Sequence, residues 1–378
     1  MKVLHLIGGG DVGGAKIHVL SLVNELKKYI DVKIICFRHG VFSEEARSMG
    51  IDIEVVRTGN IIGDIRSVIH KVRNDGYEII HSHGAKANMI AVIAGRFTKT
   101  PTVTTVHSDY RLDYMQSARK KFSFGLINKI ALRFINYYIG VSNSFREMLV
   151  KRKFNPDNIF TVYNGIDFSE SGKSYSRAEF SKKYNLNLTD SDIVVGILAR
   201  LHPVKGLSTF IRAAKEVLAV NPSVKFLIGG EGEERRSLER QIRSLGLSGS
   251  ITLLGYINDS YEFMSALDIN VLSSISESFP YSILEGAKLR KATISTNVGG
   301  ISDLVEHGEN GYLFVPGDYR SLAGYIIELA NDAEKRKEMG EKIFLKARDM
   351  FSLENMCKTQ LEIYRVILSR TRTVNQCS

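Results

Sequence analysis

The chain has 378 residues, 44% hydrophobic and 24% charged, a balance suited to a soluble globular protein with room for two compact domains. No apolar run reaches the ~20 residues of a membrane span, and three cysteines without metal-ligand spacing argue for reduced thiols in a cytoplasmic protein. The net charge of +10, carried mostly by the first half, calls for an acidic partner: nucleic acid, an anionic membrane or a phosphorylated ligand.

Residues 2–7 read as a buried first strand, too short in their apolar part for a signal peptide. Gly8, Gly10 and Gly13 follow in the spacing G-x-G-x-x-G, ahead of an amphipathic helix over residues 15–28. The next strand, 32–37, ends at Arg38, where an NADP-dependent oxidoreductase would place a phosphate-binding arginine. The glycine loop thus supports two readings: a dinucleotide site, or a tight turn that lets a sugar or its phosphate approach. Strands at 51–56, 78–81 and 101–106, with helices over 61–74 and 87–97, continue a parallel βα series. Ligand groups in such sheets project from the carboxyl ends of the strands, where His81, His83 and His107 all lie. The plain alternative for each is a hydrogen-bonded loop histidine. His81 and His83 could bind a metal, but no third ligand declares itself, and none is expected.

Residues 110–134 interleave basic and aromatic side chains, among them Arg111, Tyr114, Lys121, Phe122, Arg133 and Phe134. On a helix these make the basic and apolar faces of an interfacial membrane segment, or else a solvated face on a core-packed helix. A strand at 137–141 follows, then Ser142 as the cap of a helix over 145–151. A strand at 158–163 runs into Asn164-Gly165-Ile166-Asp167. The polar stretch up to Asp192 reads as the boundary between a domain over 1–170 and a second over 190–350. Asp190-Ser191-Asp192 has the letters of a metal motif but sits in that stretch and reads as loop solvation.

A second βα series has strands at 193–198, 224–228, 251–254, 269–272 and 292–296, with helices over 208–220, 233–245 and 261–266. Arg200 and Lys205-Gly206 follow its first strand. Glu277 and Glu285 lie eight apart with a helix start between them, for which Ser278 is a suitable N-cap and Pro280 a suitable first-turn residue. The amides of Tyr281, Ser282 and Ile283 are then unpaired donors at the positive end of a helix, a place for a phosphate. Helices over 321–331, 333–350 and 353–367 close the chain. The expected architecture is α/β: two doubly wound Rossmann-like domains with strand carboxyl ends facing a central cleft.

Gly13-Gly14, His107, Asn164-Gly165-Ile166-Asp167, Arg200 with Lys205-Gly206, Gly230-x-Gly232 and Glu277-x7-Glu285 occur in this order along essentially the whole chain. So arranged, the sequence resembles a retaining GT-B glycosyltransferase of family 4, the glycosyl transferases group 1. Phe351-Ser352-Leu353-Glu354-Asn355 before the last helix adds to the likeness, since that helix crosses back to the N-terminal domain in the family. The resemblance implies transfer of a sugar from a nucleotide-diphosphate sugar, most often a UDP-sugar, to a hydroxyl of a lipid-linked or polysaccharide acceptor. It makes Arg200 and Lys205 the diphosphate clamp, joined by the amides of Tyr281, Ser282 and Ile283. Glu285 would accept from ribose hydroxyls and Glu277 from hydroxyls of the transferred sugar. Gly13 and Gly14 would let backbone approach the sugar-phosphate, Gly230 and Ile257 would line the nucleotide pocket, and His107 would lie near the transferred sugar. The first domain would read the acceptor around residues 9–12, 83–86 and 109–119.

Fixed cations make a metal unnecessary for the leaving diphosphate, so no metal and no cofactor beyond the sugar nucleotide is expected. The basic aromatic segment points to peripheral contact with anionic membrane at the inner face of the cell membrane. The alternatives are an NADP-dependent Rossmann oxidoreductase, a sugar-nucleotide epimerase or a phosphorylase of the same fold, and a nucleic-acid-binding module. No nucleic-acid motif supports the last.

Overall fold

The computed structural model describes residues 1–10, 13–109, 126–169 and 176–376. The chain forms two compact units, one of Met1–Gly165 with Leu353–Ser378 and one of Ile166–Ser352.

The first unit runs β1 (Lys2–Ile7), α1 (Gly14–Leu26), β2 (Asp31–Cys36), α2 (Val41–Ser48), β3 (Ile53–Val55), α3 (Ile61–Asp75), β4 (Ile79–His83), α4 (Ala85–Thr98), β5 (Thr102–Val106), α5 (Leu126–Leu132), β6 (Tyr137–Gly140), α6 (Asn143–Lys151) and β7 (Ile159–Thr161). Its seven strands are parallel in the order β3-β2-β1-β4-β5-β6-β7. Both faces are covered, so the strands are buried on both sides and mostly apolar, with buried polar side chains concentrated on β4 and β5. Val3, Ile7, Ile79 and Val103 pack against Val19, Leu22 and Val23 of α1. Leu4, Leu6 and Ile80 pack on the opposite face against Val68 of α3 and Ile90 and Ala94 of α4.

In the second unit, α7 (Arg177–Lys183) precedes β8 (Val194–Leu198), α8 (Leu207–Val220), β9 (Lys225–Gly229), α9 (Arg235–Ser244), β10 (Ile251–Gly255), α10 (Ser260–Ser265), β11 (Ile269–Leu272), α11 (Tyr281–Lys288), β12 (Ala292–Thr296), α12 (Ile301–Leu304), β13 (Tyr312–Phe314), α13 (Tyr319–Asn331) and α14 (Ala333–Met350). Six strands lie in the order β10-β9-β8-β11-β12-β13. Phe210 and Val217 of α8 and Leu322 and Ile326 of α13 fill one face against Ile197, Phe226 and Val271. Phe180 of α7, Phe263 and Met264 fill the other against Val194 and Leu227. The last helix, α15 (Leu353–Gln376), returns to the first unit, where Met356, Cys357, Leu361 and Tyr364 join the face covered by α1.

The structure departs from the sequence reading in four places. The polar stretch before Asp192 is no bare linker: it holds α7, whose Phe180 is fully buried in the second unit's core. Asp192 caps the turn beside it by accepting from the Thr189 amide at 2.7 Å. α2 and β13 carry too short an apolar pattern to stand out. α11 starts at Tyr281, with Pro280 rather than Ser278 at the cap position. Ser278 instead accepts the Gly300 amide on its carbonyl at 2.8 Å, which ties the loop to the turn after β12. Residues 110–125, most of the basic aromatic segment, and residues 11–12 of the glycine loop lie outside the described residues. Among the described residues, no helix is long and apolar enough to cross a membrane.

Candidate functional site

In the second unit the carboxyl ends of the strands are stitched into one rim by glycines. Gly206 adopts φ 60°, and a Cβ there would sit 2.2 Å from the Ser273 carbonyl oxygen. The turn after β8 can therefore lie flush on the loop after β11, where the Ile275 amide donates to the Val204 carbonyl at 2.7 Å. Gly230, at φ 135°, meets Ala199 in the same way, since its Cβ would fall 1.9 Å from that carbonyl oxygen.

On this rim Lys205 ends a 3-10 turn and reaches Glu277, with Nζ 2.5 Å from Oε1. The Ser274 hydroxyl donates to the same oxygen at 2.6 Å. Both members of the ion pair are largely buried, at 22% and 10% side-chain exposure, so the pair is held by the fold. Glu277 Oε2 remains for another donor. Arg200, two residues beyond β8, is exposed and forms no ion pair among the described residues. The Tyr281 and Ser282 amides at the start of α11 make no backbone hydrogen bond among the described residues, whereas Ile283 donates weakly to Pro280 at 3.4 Å. Two free amides and two cations thus share one rim, an arrangement that suits an anion with several oxygens.

Glu285 lies one turn along α11 from Tyr281, beside Ser260 and Asp259. Burial pushes its carboxyl up to about 7; the Ser260 hydroxyl bond opposes that rise and Asp259 adds to it. The buried Tyr281 hydroxyl has no hydrogen-bond partner among the described residues, and burial together with Glu285 raises it further above the phenol range. Ile257 packs its side chain into the core against Phe263 and Leu267, which leaves its main chain as the part a ligand can meet. Glu277 and Lys205 are therefore in contact, Glu285 is set apart on the next helical turn, and Ile257 is chiefly a packing residue.

In the first unit, Gly13 (φ 74°) caps α1 and Gly14 opens it, both exposed. Gly9, outside the G-x-G-x-x-G spacing, makes the closest approach: a Cβ there would sit 2.6 Å from the Arg38 carbonyl oxygen. Gly9 thus serves the packing of the loop on the end of β2, whereas a Cβ at Gly13 would meet nothing within 4 Å.

His107 follows β5 and borders a cavity of about 330 Å³ with His83, Asn88, Thr104 and Asn128. It is one of a group. His5, His81 and His83 face the side of the sheet covered by α1 and α15; His5 lies between Val3 and Ile7 in the middle of β1, while His81 and His83 form the carboxyl end of β4. Sequence reading found a metal-capable pair in His81 and His83; the fold supplies a third imidazole, His5, with a ring nitrogen within 4.8 Å of nitrogens of the other two. The nitrogens of these rings are already hydrogen-bonded to one another, to Tyr364 and to Thr105, so the cluster reads as a hydrogen-bonded chain. Desolvation holds all of them neutral, His5 down to about 3 and His81, His83 and His107 well below the usual imidazole value. His18, down to about 4, lies edge-on to His107 with 4.7 Å between ring centres and bonds Asn164 through Nδ1 at 2.8 Å.

His5, His18 and Tyr364 were not singled out in the sequence. The signal for His5 was a polar residue inside an otherwise apolar strand; Tyr364 gives none, because it reads as one more core position of a helix. At the described end of the basic aromatic segment, Phe134 is 66% exposed. Arg133 instead stacks on Phe154 at 4.6 Å and bonds the Arg152 and Lys153 carbonyls.

Two family models match the chain: one described as Glycosyltransferase Family 4 over residues 12–170, the other as Glycosyl transferases group 1 over residues 177–345. A UDP-Gal:alpha-D-GlcNAc-diphosphoundecaprenol alpha-1,3-galactosyltransferase of Escherichia coli is 26% identical over 315 residues, 80% of either chain. The capsular polysaccharide biosynthesis glycosyltransferase CapM of Staphylococcus aureus is 25% identical over 354 residues, 91% of this chain and 92% of the relative. Among solved structures, Anabaena Alr3699/HepE in complex with UDP superposes with a TM-score of 0.83 at 24% identity, covering 97% of this chain and all of that one. That is a likeness of fold.

Proposed function

Since this chain belongs to glycosyltransferase family 4 and has the two-unit GT-B fold, and is therefore a sugar-transferring enzyme, we propose that its donor is a UDP-sugar and its acceptor a hydroxyl of a lipid-linked or polysaccharide glycan. The observation that carries the donor half is the second unit's rim, with Arg200 and the paired Lys205 beside the free amides that open α11. As the sugar–phosphate bond breaks, negative charge grows on the departing diphosphate. Fixed cations and helix-end amides stabilise that charge without reorganising, which lowers the barrier. No metal is needed in this scheme.

Glu285 accepts from the ribose hydroxyls, an acceptor-only task once it is ionised. Glu277, its Oε1 held by Lys205 and Ser274, offers Oε2 to hydroxyls of the transferred sugar. His107 serves the same sugar, Gly13 and Gly14 admit its phosphate, and the main chain near Gly230 and Ile257 meets the base. Retention follows from front-face attack, the leaving phosphate taking the acceptor's proton. The E. coli and S. aureus relatives, named for a diphosphoundecaprenol substrate and for capsular polysaccharide, support a lipid-linked or polymeric acceptor. Exposed Phe97, Ile130 and Phe134 support contact with an anionic membrane.

Calorimetry with UDP, GDP and ADP, with and without EDTA, tests the donor half. EDTA-insensitive binding selective for UDP is the expected result; selectivity for another base, or loss of binding in EDTA, overturns the corresponding statement. Sedimentation with anionic and neutral vesicles tests the membrane contact, which equal binding to both refutes.

A further inference from the structure

The buried imidazoles of the first unit form one unbroken series. Thr105 Oγ1 lies 2.8 Å from His81 Nε2, and His81 Nδ1 lies 2.6 Å from the Tyr364 hydroxyl. That hydroxyl is 3.1 Å from His5 Nε2, and His5 Nδ1 is 3.1 Å from His83 Nε2. His83 Nδ1 then reaches His107 Nε2 at 3.1 Å. His5 and Tyr364 are fully buried, so no water completes these bonds from outside. A neutral imidazole has one N–H and one lone pair, and a hydroxyl has one proton to give. If Thr105 donates into the series, each successive member must donate onward, and all four histidines carry the proton on Nδ1. If His107 donates into it from the other end, all four carry it on Nε2. Any mixed arrangement sets two N–H groups or two lone pairs face to face inside the core, or has the Tyr364 oxygen accept from both of its rings with its own proton left unbonded, at a cost of about 1–3 kcal/mol for each unmade bond.

We propose that Thr105, His81, Tyr364, His5 and His83 are positioning residues that fix which ring nitrogen of His107 carries the proton. His107 Nε2 is committed to His83, so Nδ1 is the nitrogen left for a ligand. The polarity of the series decides whether that nitrogen donates to a sugar hydroxyl or accepts from one. Tyr364 stands at the middle of the series and comes from α15, so the returning helix takes part in setting the state of His107. The functional part of this inference rests on the proposed role of His107 at the transferred sugar; the part that concerns protons does not.

Long-range ¹H–¹⁵N spectra of the ¹⁵N-histidine-labelled full chain report the tautomer of each ring, with His107 assigned by its loss in His107→Asn. The expected result is one shared tautomer for His5, His81, His83 and His107 in the unaltered protein. A mixed set overturns the proposal without recourse to any variant. In Tyr364→Phe the two halves of the series orient independently: the His107 ¹⁵N shifts move towards each other, kcat falls at least about twofold and the donor KM stays within about twofold. Unmoved His107 shifts in this variant also overturn the proposal. Shifts that converge while kcat holds keep the hydrogen-bonded series and remove His107 from the reaction, which refutes the functional part alone.

Discussion

Glu285 has the most quantitative consequence. Burial raises its carboxyl from 4.5 to about 7 in the free protein, so near neutral pH roughly half the molecules hold it uncharged. Ribose hydroxyls donate to an ionised carboxylate better than to a carboxylic acid, so UDP selects the ionised form. The ionised fraction rises from about one tenth at pH 6 to about nine tenths at pH 8, and apparent affinity should rise about tenfold, or about 1.4 kcal/mol. The β-phosphate of UDP titrates in the same window, so the quantity to read is the difference from Glu285→Gln, which keeps the shape and loses the proton. Calorimetry at pH 6, 7 and 8 in buffers of unlike ionisation enthalpy should show the affinity ratio of parent to variant growing about tenfold, with about one extra proton released by the parent at pH 6. Parallel pH profiles would falsify the assignment of Glu285 to the ribose. Stability should run the other way. A carboxyl raised on folding favours the fold fully below 4.5 and loses that contribution as pH rises through 7. Glu285→Gln should therefore stabilise the free protein at pH 8 by about 3 kcal/mol, read from urea unfolding.

The same structure yields three further expectations. Lys205→Ala strands the nearly buried Glu277 carboxylate and should cost about 2 kcal/mol of stability as well as most turnover; Lys205→Ala/Glu277→Gln should recover the stability and not the turnover. Equal melting temperatures for the single and double variants would show that the pair carries no structural weight. Gly230→Ala, with its Cβ driven onto the Ala199 carbonyl oxygen at positive φ, should destabilise the second unit by at least about 2 kcal/mol, and an unchanged thermal midpoint refutes this. His5, His18, His81 and His83 are neutral when folded and titrate normally when unfolded, so their contribution is complete above pH 6.5 and is lost as pH falls towards 4. At pH 5.5 His5 and His18 alone should cost about 3 kcal/mol, with His81 and His83 adding in the same direction; protection factors in β4 that stay unchanged from pH 7.5 to 5.5 contradict that burial.

The sheets were legible because a buried parallel strand is a largely apolar run ending in a turn, a form that residues 2–7, 193–198 and 269–272 have, while 101–106 shows itself by its β-branched Thr and Val residues. Lys205 and Glu277 stand out in the sequence as charged residues in the loops after two strands, and Glu285 as the acidic residue of a helix, while the contact between Lys205 and Glu277 is what the fold adds. The span of α11 is read to within a residue, at 280–289, but its cap is misassigned because Ser278 satisfies the local rule, while a tertiary bond from the Gly300 amide takes its carbonyl and leaves Pro280 at the helix mouth. α7 was missed because within the helix only Phe180 is a large apolar residue, and it takes the second unit's core to cover it. The glycine loop left two readings open for a related reason. Its spacing invites a dinucleotide, whereas the close approach falls on Gly9 and is to the protein's own Arg38.

Histidine pairing escaped the sequence for a deeper reason. His5 and His81 are 76 residues apart and become neighbours only through the register of β1 on β4, and Tyr364 joins them from a helix at the far end of the chain. Parity along each strand shows that His81 and His83 share a face with Ile79; it does not say which helix covers that face. An apolar helix there would have left imidazole nitrogens unpaired in the core, at a cost the fold could not readily carry. A tyrosine at position 364 gives one hydroxyl that accepts from one ring and donates to another, the least a helix can contribute to close the series. The same economy holds in the second unit, where Lys205 and Ser274 both bond one oxygen of Glu277, while burial raises the Glu285 carboxyl towards neutrality until a ligand supplies donors. Where the protein completes a polar group's partners, the group is ready before substrate arrives; where it does not, proton equilibria become part of binding.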